Sequence, residues 1–118
     1  MNTRKLEKIK KLVVENGGLT LKSNGEVANL STGYMVSYLR YEKIVNGIKF
    51  IELKSVKRYL KIAKQLNAYV GFWFNDGKVY IDISINAVYK EDALAFAKHE
   101  KQKAIFDVSR NETIYLDK

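Results

Sequence analysis

The fold of this chain is most clearly indicated by the sequence YVGFWFNDGKVYIDISI, which runs from Tyr69 to Ile85. Its residues alternate on both sides of Asp76-Gly77, and an Asp-Gly pair between two alternating runs is typical of a two-residue β-hairpin turn. Glycine suits such a turn because it adopts positive φ without steric cost. These residues therefore predict a β-hairpin with Asp76 and Gly77 as its loop.

The turn also predicts the register of the hairpin, which pairs Trp73 with Tyr80 and Gly71 with Asp82. Cross-strand partners share a face of the sheet. The first predicted face is apolar and suits a core: Val70, Phe72, Phe74, Val79, Ile81 and Ile83. The second is aromatic and polar: Tyr69, Trp73, Tyr80, Asp82, Ser84 and Asn86. Two interpretations are open, because the second face either contacts a partner through Trp73 and Tyr80 or is covered by a helix.

Periodicity and turn residues predict the other elements. Helices are expected over residues 3–15, 55–67 (with Ser55 as its N-cap) and 90–102. Further strands are expected over residues 19–22, 27–30, 34–39, 104–108 and 113–116. Residues 41–53 are ambiguous and favour two more strands around Asn46-Gly47. The predicted fold class is α+β: a single compact domain over residues 1–118, with antiparallel β-hairpins or a meander and about three helices.

The net charge of +8 is unevenly distributed along the chain. Residues 1–59 hold 12 Lys and Arg against 5 Asp and Glu, whereas residues 60–118 hold 9 against 8. A partner with an anionic surface is one explanation, namely nucleic acid, an acidic protein or anionic lipid. The other is that a lysine-rich surface keeps a small protein soluble.

Five cations are predicted to share one side of the second helix. They are spaced three or four residues apart: Lys54, Lys57, Arg58, Lys61 and Lys64. Like charges at this spacing repel, and phosphates or another anionic partner would relieve the repulsion. A solvated helix face is the alternative interpretation. Together with Trp73 and Tyr80, these five residues are the candidate contacts with a partner or with nucleic acid.

Composition excludes several classes of protein. The chain has no cysteine, and therefore no disulfide bond and no thiolate metal site. No apolar run approaches the roughly 18 residues of a membrane span, and Met1 to Lys5 do not resemble a secretion signal. We expect a soluble cytoplasmic protein that does not contact a membrane.

Residues that could support catalysis are sparse. His99 is the only histidine and lies among charged residues. Ser84, His99 and either Asp82 or Asp107 could form a triad, but Ser84 lacks the sequence context of a nucleophile. Asp82, Asp92 and Asp107 could gather around Mg²⁺, although their spacing does not require it. We therefore expect no enzymatic activity, no catalytic residue, no cofactor and no metal.

Two blocks of sequence resemble a group of proteins from mobile genetic elements. The first is GGLTL (17–21), Gly25 and GYMVS (33–37); the second is GFWFNDGKVYIDIS (71–84), continuing through Ala93-Leu94, Ala97, Gln102 and AIFD (104–107). Together they are similar to small proteins encoded by phages, prophages and conjugative elements, chiefly of Gram-positive bacteria. The resemblance implies a genomic setting, and it assigns no site residue.

The leading hypothesis is an accessory protein that binds and inhibits a host nucleic-acid-handling defence complex, as anti-CRISPR and other anti-defence proteins do. The alternative is a module that binds DNA or RNA directly through the basic helix. A small metal-dependent nuclease is a third, weaker hypothesis. The expected partner is a host protein or nucleoprotein complex, or nucleic acid itself.

Overall fold

The structure is a computed structural model that describes residues 1–116. It contains three α-helices: α1 (Thr3–Asn16), α2 (Leu53–Leu66) and α3 (Lys90–His99). It also contains seven strands: β1 (Gly18–Leu21), β2 (Tyr34–Ser37), β3 (Lys43–Val45), β4 (Tyr69–Asn75), β5 (Lys78–Ala87), β6 (Ala104–Asp107) and β7 (Glu112–Tyr115). Short 3-10 helices cover Leu39–Tyr41 and Ile48–Phe50. The predicted α+β class is confirmed.

All seven strands form one antiparallel sheet: six follow the order β1-β4-β5-β2-β6-β7, and β3 lies off this path, paired with β5. The ten-residue strand β5 lies at its centre, with β4 along one side. On the other side of β5, strand β3 pairs with the first half of β5 and strand β2 pairs with its second half. Strands β2 and β3 therefore lie end to end along β5, separated by the 3-10 helix Leu39–Tyr41. The sheet is therefore built around the hairpin that the sequence indicates most strongly.

The predicted hairpin register is confirmed throughout. Trp73 pairs with Tyr80 and Gly71 pairs with Asp82, and the loop residues Asp76 and Gly77 have φ of 52° and 76°. Both φ values are positive, as a type I′ turn requires.

The helices cover one face of this sheet. Helices α1 and α2 both contact β4, and α3 contacts β2, β5 and β6. The apolar face of the hairpin, including Val70 and Ile83 at 0% exposure, packs with both α1 and α2. A smaller cluster joins Ala93 and Ala97 of α3 to Val36 and Ile105. We call this the helix face and the opposite side the open face.

Three strand predictions are wrong for topological reasons. Residues 27–30 form no strand: after a single bridge between Leu21 and Val27, the chain leaves β1 to reach β2, three positions away in the sheet. Residues 41–53 contain one strand, β3, after which Gly47 (φ 148°) leads into a 3-10 helix. The third predicted strand ends at Ser37 rather than residue 39, because a 3-10 helix follows.

The predicted start of α2 and the predicted end of α3 are also wrong. Helix α2 begins at Leu53, two residues before Ser55, because the backbone N–H of Val56 already donates to the Glu52 carbonyl at 3.1 Å. Helix α3 ends at His99 rather than residue 102 because Lys101 adopts a positive φ of 60°, which turns the chain towards β6.

Candidate binding surfaces

The first candidate surface is the outer side of α2, which we call the basic face. Val56, Tyr59, Leu60 and Ala63 of α2 are buried against the sheet. The five cations predicted from the sequence all lie on the exposed side: Lys54, Lys57, Arg58, Lys61 and Lys64. The expectation that they share one side of a helix is therefore met by the structure.

No acidic side chain among the described residues forms an ion pair with the cations of the basic face. Within residues 1–116, no carboxylate oxygen lies within 4.0 Å of any of its five cations, because the three ion pairs present are elsewhere. Helix α2 contains no acidic residue at all. By contrast, α1 pairs Lys10 with Glu7 at 3.7 Å and Lys11 with Glu15 at 3.9 Å.

Almost the whole electrostatic asymmetry of the chain belongs to these two helices. Helices α1 and α2 together contain ten Lys and Arg residues and two Glu residues, a net charge of +8. The whole chain also has a net charge of +8, so everything outside α1 and α2 is neutral overall. Because both helices pack on the helix face, the positive charge of the protein is concentrated on that side.

A part-buried hydrogen bond anchors α2. The Tyr59 hydroxyl donates to the main-chain carbonyl of Tyr41 at 2.7 Å and thereby ties the helix to the segment between β2 and β3. Burial is the largest cause that raises the pKa of Tyr59, so this hydroxyl stays protonated and continues to donate. The basic face is consequently held by a fixed scaffold.

The second candidate surface is the open face of the sheet, where side chains form cross-strand rows. An apolar row runs from Trp73 through Tyr80 to Ile44. The next row is small and polar: Thr20, Gly71 and Asp82. The third row contains Tyr69, Ser84 and Ser37, and the fourth contains Asn86, Met35, Phe106 and Thr113.

Trp73 and Tyr80 are not covered by a helix. Trp73 is 60% exposed and Ile44 is 57% exposed. The Trp73 and Tyr80 rings lie 5.7 Å apart between centroids, with 40° between their planes. Of the two interpretations of this face, coverage by a helix is wrong within the described residues, and the aromatic pair is accessible. Whether it contacts a partner stays a prediction.

Asp82 is the chemically unusual residue of the open face. Its Oδ1 accepts a hydrogen bond from the Ser84 hydroxyl at 2.9 Å. Burial raises the pKa of the Asp82 carboxyl, the Ser84 hydrogen bond opposes that rise, and the nearby Glu42 carboxylate adds to it. No Lys or Arg among the described residues lies within 4.0 Å of Asp82.

The neighbouring carboxylate is held by a polar network. Oε2 of Glu42 accepts hydrogen bonds from Ser37 Oγ at 3.0 Å and from Gln102 Nε2 at 2.7 Å. Gln102 Nε2 also lies 3.1 Å from the Ser37 carbonyl oxygen. Glu42 and Gln102 are far apart in sequence, and neither was predicted to belong to a site. No sequence signal indicates this network, because it depends on how α3 and β6 approach the end of β2.

A trough of about 700 Å³ crosses the open face. Residues of β1, β4, β5, β2, β6 and β7 all line it, with Asp82 and Ser84 on its floor. A smaller cavity of about 530 Å³ on the other side of Asp82 is lined by Trp73, Tyr80 and Ile44. Asp82 therefore borders both cavities, in the size range of small-ligand sites.

The catalytic combinations considered from the sequence do not assemble in the described residues. His99 is exposed on α3, which covers the helix face, whereas Ser84 and Asp82 belong to the open face. Asp107 belongs to the helix side of β6 and accepts from Ser109 Oγ at 3.0 Å, and Asp92 is exposed at the start of α3. Residues 1–116 contain no cluster of three side chains suited to hold a metal ion.

No protein-family model, curated protein or solved structure matches this chain. None of the helices in residues 1–116 has the length and apolar character needed to span a membrane. The two surfaces described above are therefore interpreted from their own chemistry.

Proposed function

We propose that this protein is a non-enzymatic accessory factor of a mobile genetic element, which binds and inhibits a host nucleic-acid-handling defence complex in the cytoplasm. Its mode of action would be that of an anti-CRISPR or other anti-defence protein, with the basic face of α2 as the principal contact. The observation that carries the proposal is that five exposed cations on one helix side lack any acidic partner among the described residues.

The energetics of the basic face favour an anionic partner. Lys57 and Lys61 are four residues apart, as are Lys54 and Arg58, and like charges at this spacing destabilise a helix by about 0.2–0.5 kcal/mol per pair. An anionic surface removes this repulsion when it binds. Complexes that handle nucleic acid offer such a surface, either as bound nucleic acid or as acidic protein that mimics it.

The open face supports a protein partner in addition. Trp73, Tyr80 and Ile44 form an accessible apolar row, and tryptophan and tyrosine are enriched among the residues that dominate protein–protein binding. Four of the five cations of the basic face are lysines, which act as point charges and do not provide the planar bidentate recognition of arginine. The chemistry therefore favours shape and charge matching over the reading of a base sequence.

A plasmid-survival assay tests this proposal. In bacteria whose CRISPR–Cas system targets a plasmid, expression of the wild-type protein is expected to restore transformation by that plasmid. The variant K57E/R58E/K61E is expected to lose this protection. The matched control K22E/K78E/K103E makes the same change of net charge at three exposed positions outside the helices and is expected to retain it. The proposal is contradicted if the wild-type protein protects the plasmid against none of the defence systems tested and no component of such a system co-purifies with it.

Direct binding of nucleic acid through the basic face is the second candidate. It is favoured by the length of the basic face, because the ten residue steps from Lys54 to Lys64 span about 15 Å of helix, enough to follow successive phosphates. Five neutralised phosphates on duplex DNA predict an affinity that falls roughly 500-fold between 50 and 200 mM salt. Fluorescence anisotropy with labelled duplex and single-stranded oligonucleotides measures this, and salt-independent or absent binding contradicts it.

A further inference from the structure

The floor of the trough on the open face holds a carboxylate that lacks a cation. Asp82 has one hydrogen-bond donor among the described residues, Ser84, which reaches Oδ1. Oδ2 has no donor there. It is not fully enclosed either, since no completely buried polar atom is left without a partner in residues 1–116. Oδ2 therefore keeps some exposure and can accept a further hydrogen bond, on a residue that lines the trough.

The backbone of β4 is adapted to this carboxylate. A Cβ atom on Gly71 would lie 2.6 Å from Asp82 Oδ1, which is closer than real Cβ contacts come. Glycine inside a strand weakens it, and one of its uses is to admit close approach of another group. Here it allows the Asp82 carboxyl to lie across the neighbouring strand, in the row that contains Thr20 on β1.

Aromatic rings flank this carboxylate on both sides along the strands. Trp73 and Tyr80 lie in the cross-strand row before Asp82, and Tyr69 lies in the row after it. Ring faces attract cations within about 6 Å of their centroids, and a carboxylate adds hydrogen bonding to a cation that carries N–H groups. The second carboxylate, Glu42, makes the site still less favourable for an anion.

We propose that the trough binds an organic cation bearing N–H groups, a primary ammonium or a guanidinium, with Asp82 as its counter-ion and the rings of Trp73 and Tyr69 as its aromatic walls. Such a ligand would donate a hydrogen bond to Oδ2 and place its apolar part against the rings of Trp73 and Tyr69. The site lies on the face opposite α2 and does not depend on the basic face, but it shares Trp73 with the apolar row that supports a protein partner in the proposed function.

A metal ion is the competing occupant, and the geometry disfavours it. Ca²⁺ and Mg²⁺ need six or more oxygen ligands, whereas Glu42 already accepts two hydrogen bonds and no third carboxylate joins the pair within residues 1–116. The aromatic walls supply no oxygen ligand apart from the Tyr69 hydroxyl. An organic cation uses both the carboxylate and the rings.

Fluorescence provides a direct test, because Trp73 is the only tryptophan in the chain. Butylguanidinium is titrated against the full-length protein, with butylurea as the neutral probe of the same shape. We expect a saturable change in Trp73 emission with a dissociation constant of about 1 mM or tighter for butylguanidinium. Binding of butylurea is expected to be at least about tenfold weaker, as the loss of a charge-assisted hydrogen bond implies.

Two variants separate this site from non-specific binding. D82N keeps the shape and removes the charge, and it is expected to weaken butylguanidinium binding about tenfold or more. D76N makes the same change at the exposed hairpin loop and is expected to leave binding unchanged. Equal affinity of wild type and D82N, equal affinity for butylurea, or competition by CaCl₂ at stoichiometric concentration overturns the proposal. A titration with capped arginine methylamide, which mimics an arginine side chain within a peptide, then distinguishes the natural sources of the cation. Binding of this compound indicates a side chain of a partner protein, and its failure to bind indicates a free amine.

Discussion

Asp82 lies directly opposite Gly71 in the central hairpin, and its carboxyl group occupies the space in which any other residue at position 71 would place a Cβ atom. The pair explains two features of the sequence at once. A glycine interrupts an otherwise continuous strand, and an aspartate interrupts the apolar run of β5. Each is tolerated because the other is present, and together they form the floor of the trough.

Replacing Gly71 tests this relationship. Alanine in a strand is normally preferred over glycine by about 0.5–1 kcal/mol. At position 71 we expect the opposite sign, with G71A lowering the free energy of unfolding by about 1–3 kcal/mol because the new Cβ displaces the Asp82 carboxyl. In the D82A background, the same change is expected to be neutral or stabilising. Urea denaturation of the four proteins of this double-mutant cycle measures the coupling, and additive effects contradict it.

The raised pKa of Asp82 predicts a dependence of stability on pH. Between the ordinary Asp value of 3.8 and the raised native value, the native state holds a proton that the unfolded state has lost. The contribution of Asp82 to stability is therefore fully present below pH 3.8 and is lost as the pH rises through this window.

The isosteric variant D82N removes that titration. We expect D82N to be more stable than the wild type at pH 7, and the difference to shrink as the pH falls towards 3. Glu42 and Ser84 are unchanged in this comparison, and D76N serves as the control for loss of one exposed carboxylate. Denaturation curves at pH 3, 5 and 7 give the difference. A D82N protein less stable than the wild type at pH 7 contradicts the assignment of burial as the dominant cause.

The contribution of the Tyr59 hydrogen bond, which anchors α2, to the stability of the protein can also be measured. Y59F removes the hydroxyl that donates to the Tyr41 carbonyl and is expected to cost about 1 kcal/mol, or roughly 3–5 °C in Tm. Y41F is the matched control, because Tyr41 accepts this bond through its main chain and keeps it. Thermal denaturation followed by circular dichroism compares the two variants. Equal losses in Y59F and Y41F would show that the hydroxyl bond is not the anchor.

Repulsion within the basic face predicts a stabilising substitution. Lys61 lies three or four residues from Lys57, Arg58 and Lys64, so K61Q removes three unfavourable pairs. We expect K61Q to raise the free energy of unfolding by about 0.5–1 kcal/mol at low salt, and the gain to fade as salt screens the charges. K78Q, at the hairpin, is expected to change stability by less. A gain in stability accompanied by a loss of partner binding would mark the basic face as a functional surface.

The sequence predicted local structure better than it predicted topology. The Asp76-Gly77 turn determined the register of β4 and β5, since both loop residues must adopt positive φ and the partners follow by counting. The helix periods likewise placed the buried side of α2. By contrast, the pairing of β1 with β4, and the departure of the chain from β1 just after the Leu21–Val27 bridge, depend on long-range pairing that has no local signal.

The candidate surfaces divide in the same way. The basic face follows from helical spacing, so all five of its cations were predicted from the sequence to share one side of α2. The role of Asp82 at the trough floor was not. It arises from its opposition to Gly71, from the proximity of Glu42, and from the position of all three helices on the other face of the sheet.

Site-specific crosslinking tests the central claim, that the basic face of α2 contacts a host defence complex, most directly. A photo-crosslinking amino acid is placed at Arg58 on the basic face or at Lys78 on the hairpin, both exposed, and the proteins are irradiated in host cells and purified under denaturing conditions. We predict that the protein modified at position 58 is crosslinked to a component of a nucleic-acid-handling complex and that the one modified at position 78 is not. Identical products from both positions, or products containing only nucleic acid at position 58, would contradict the account.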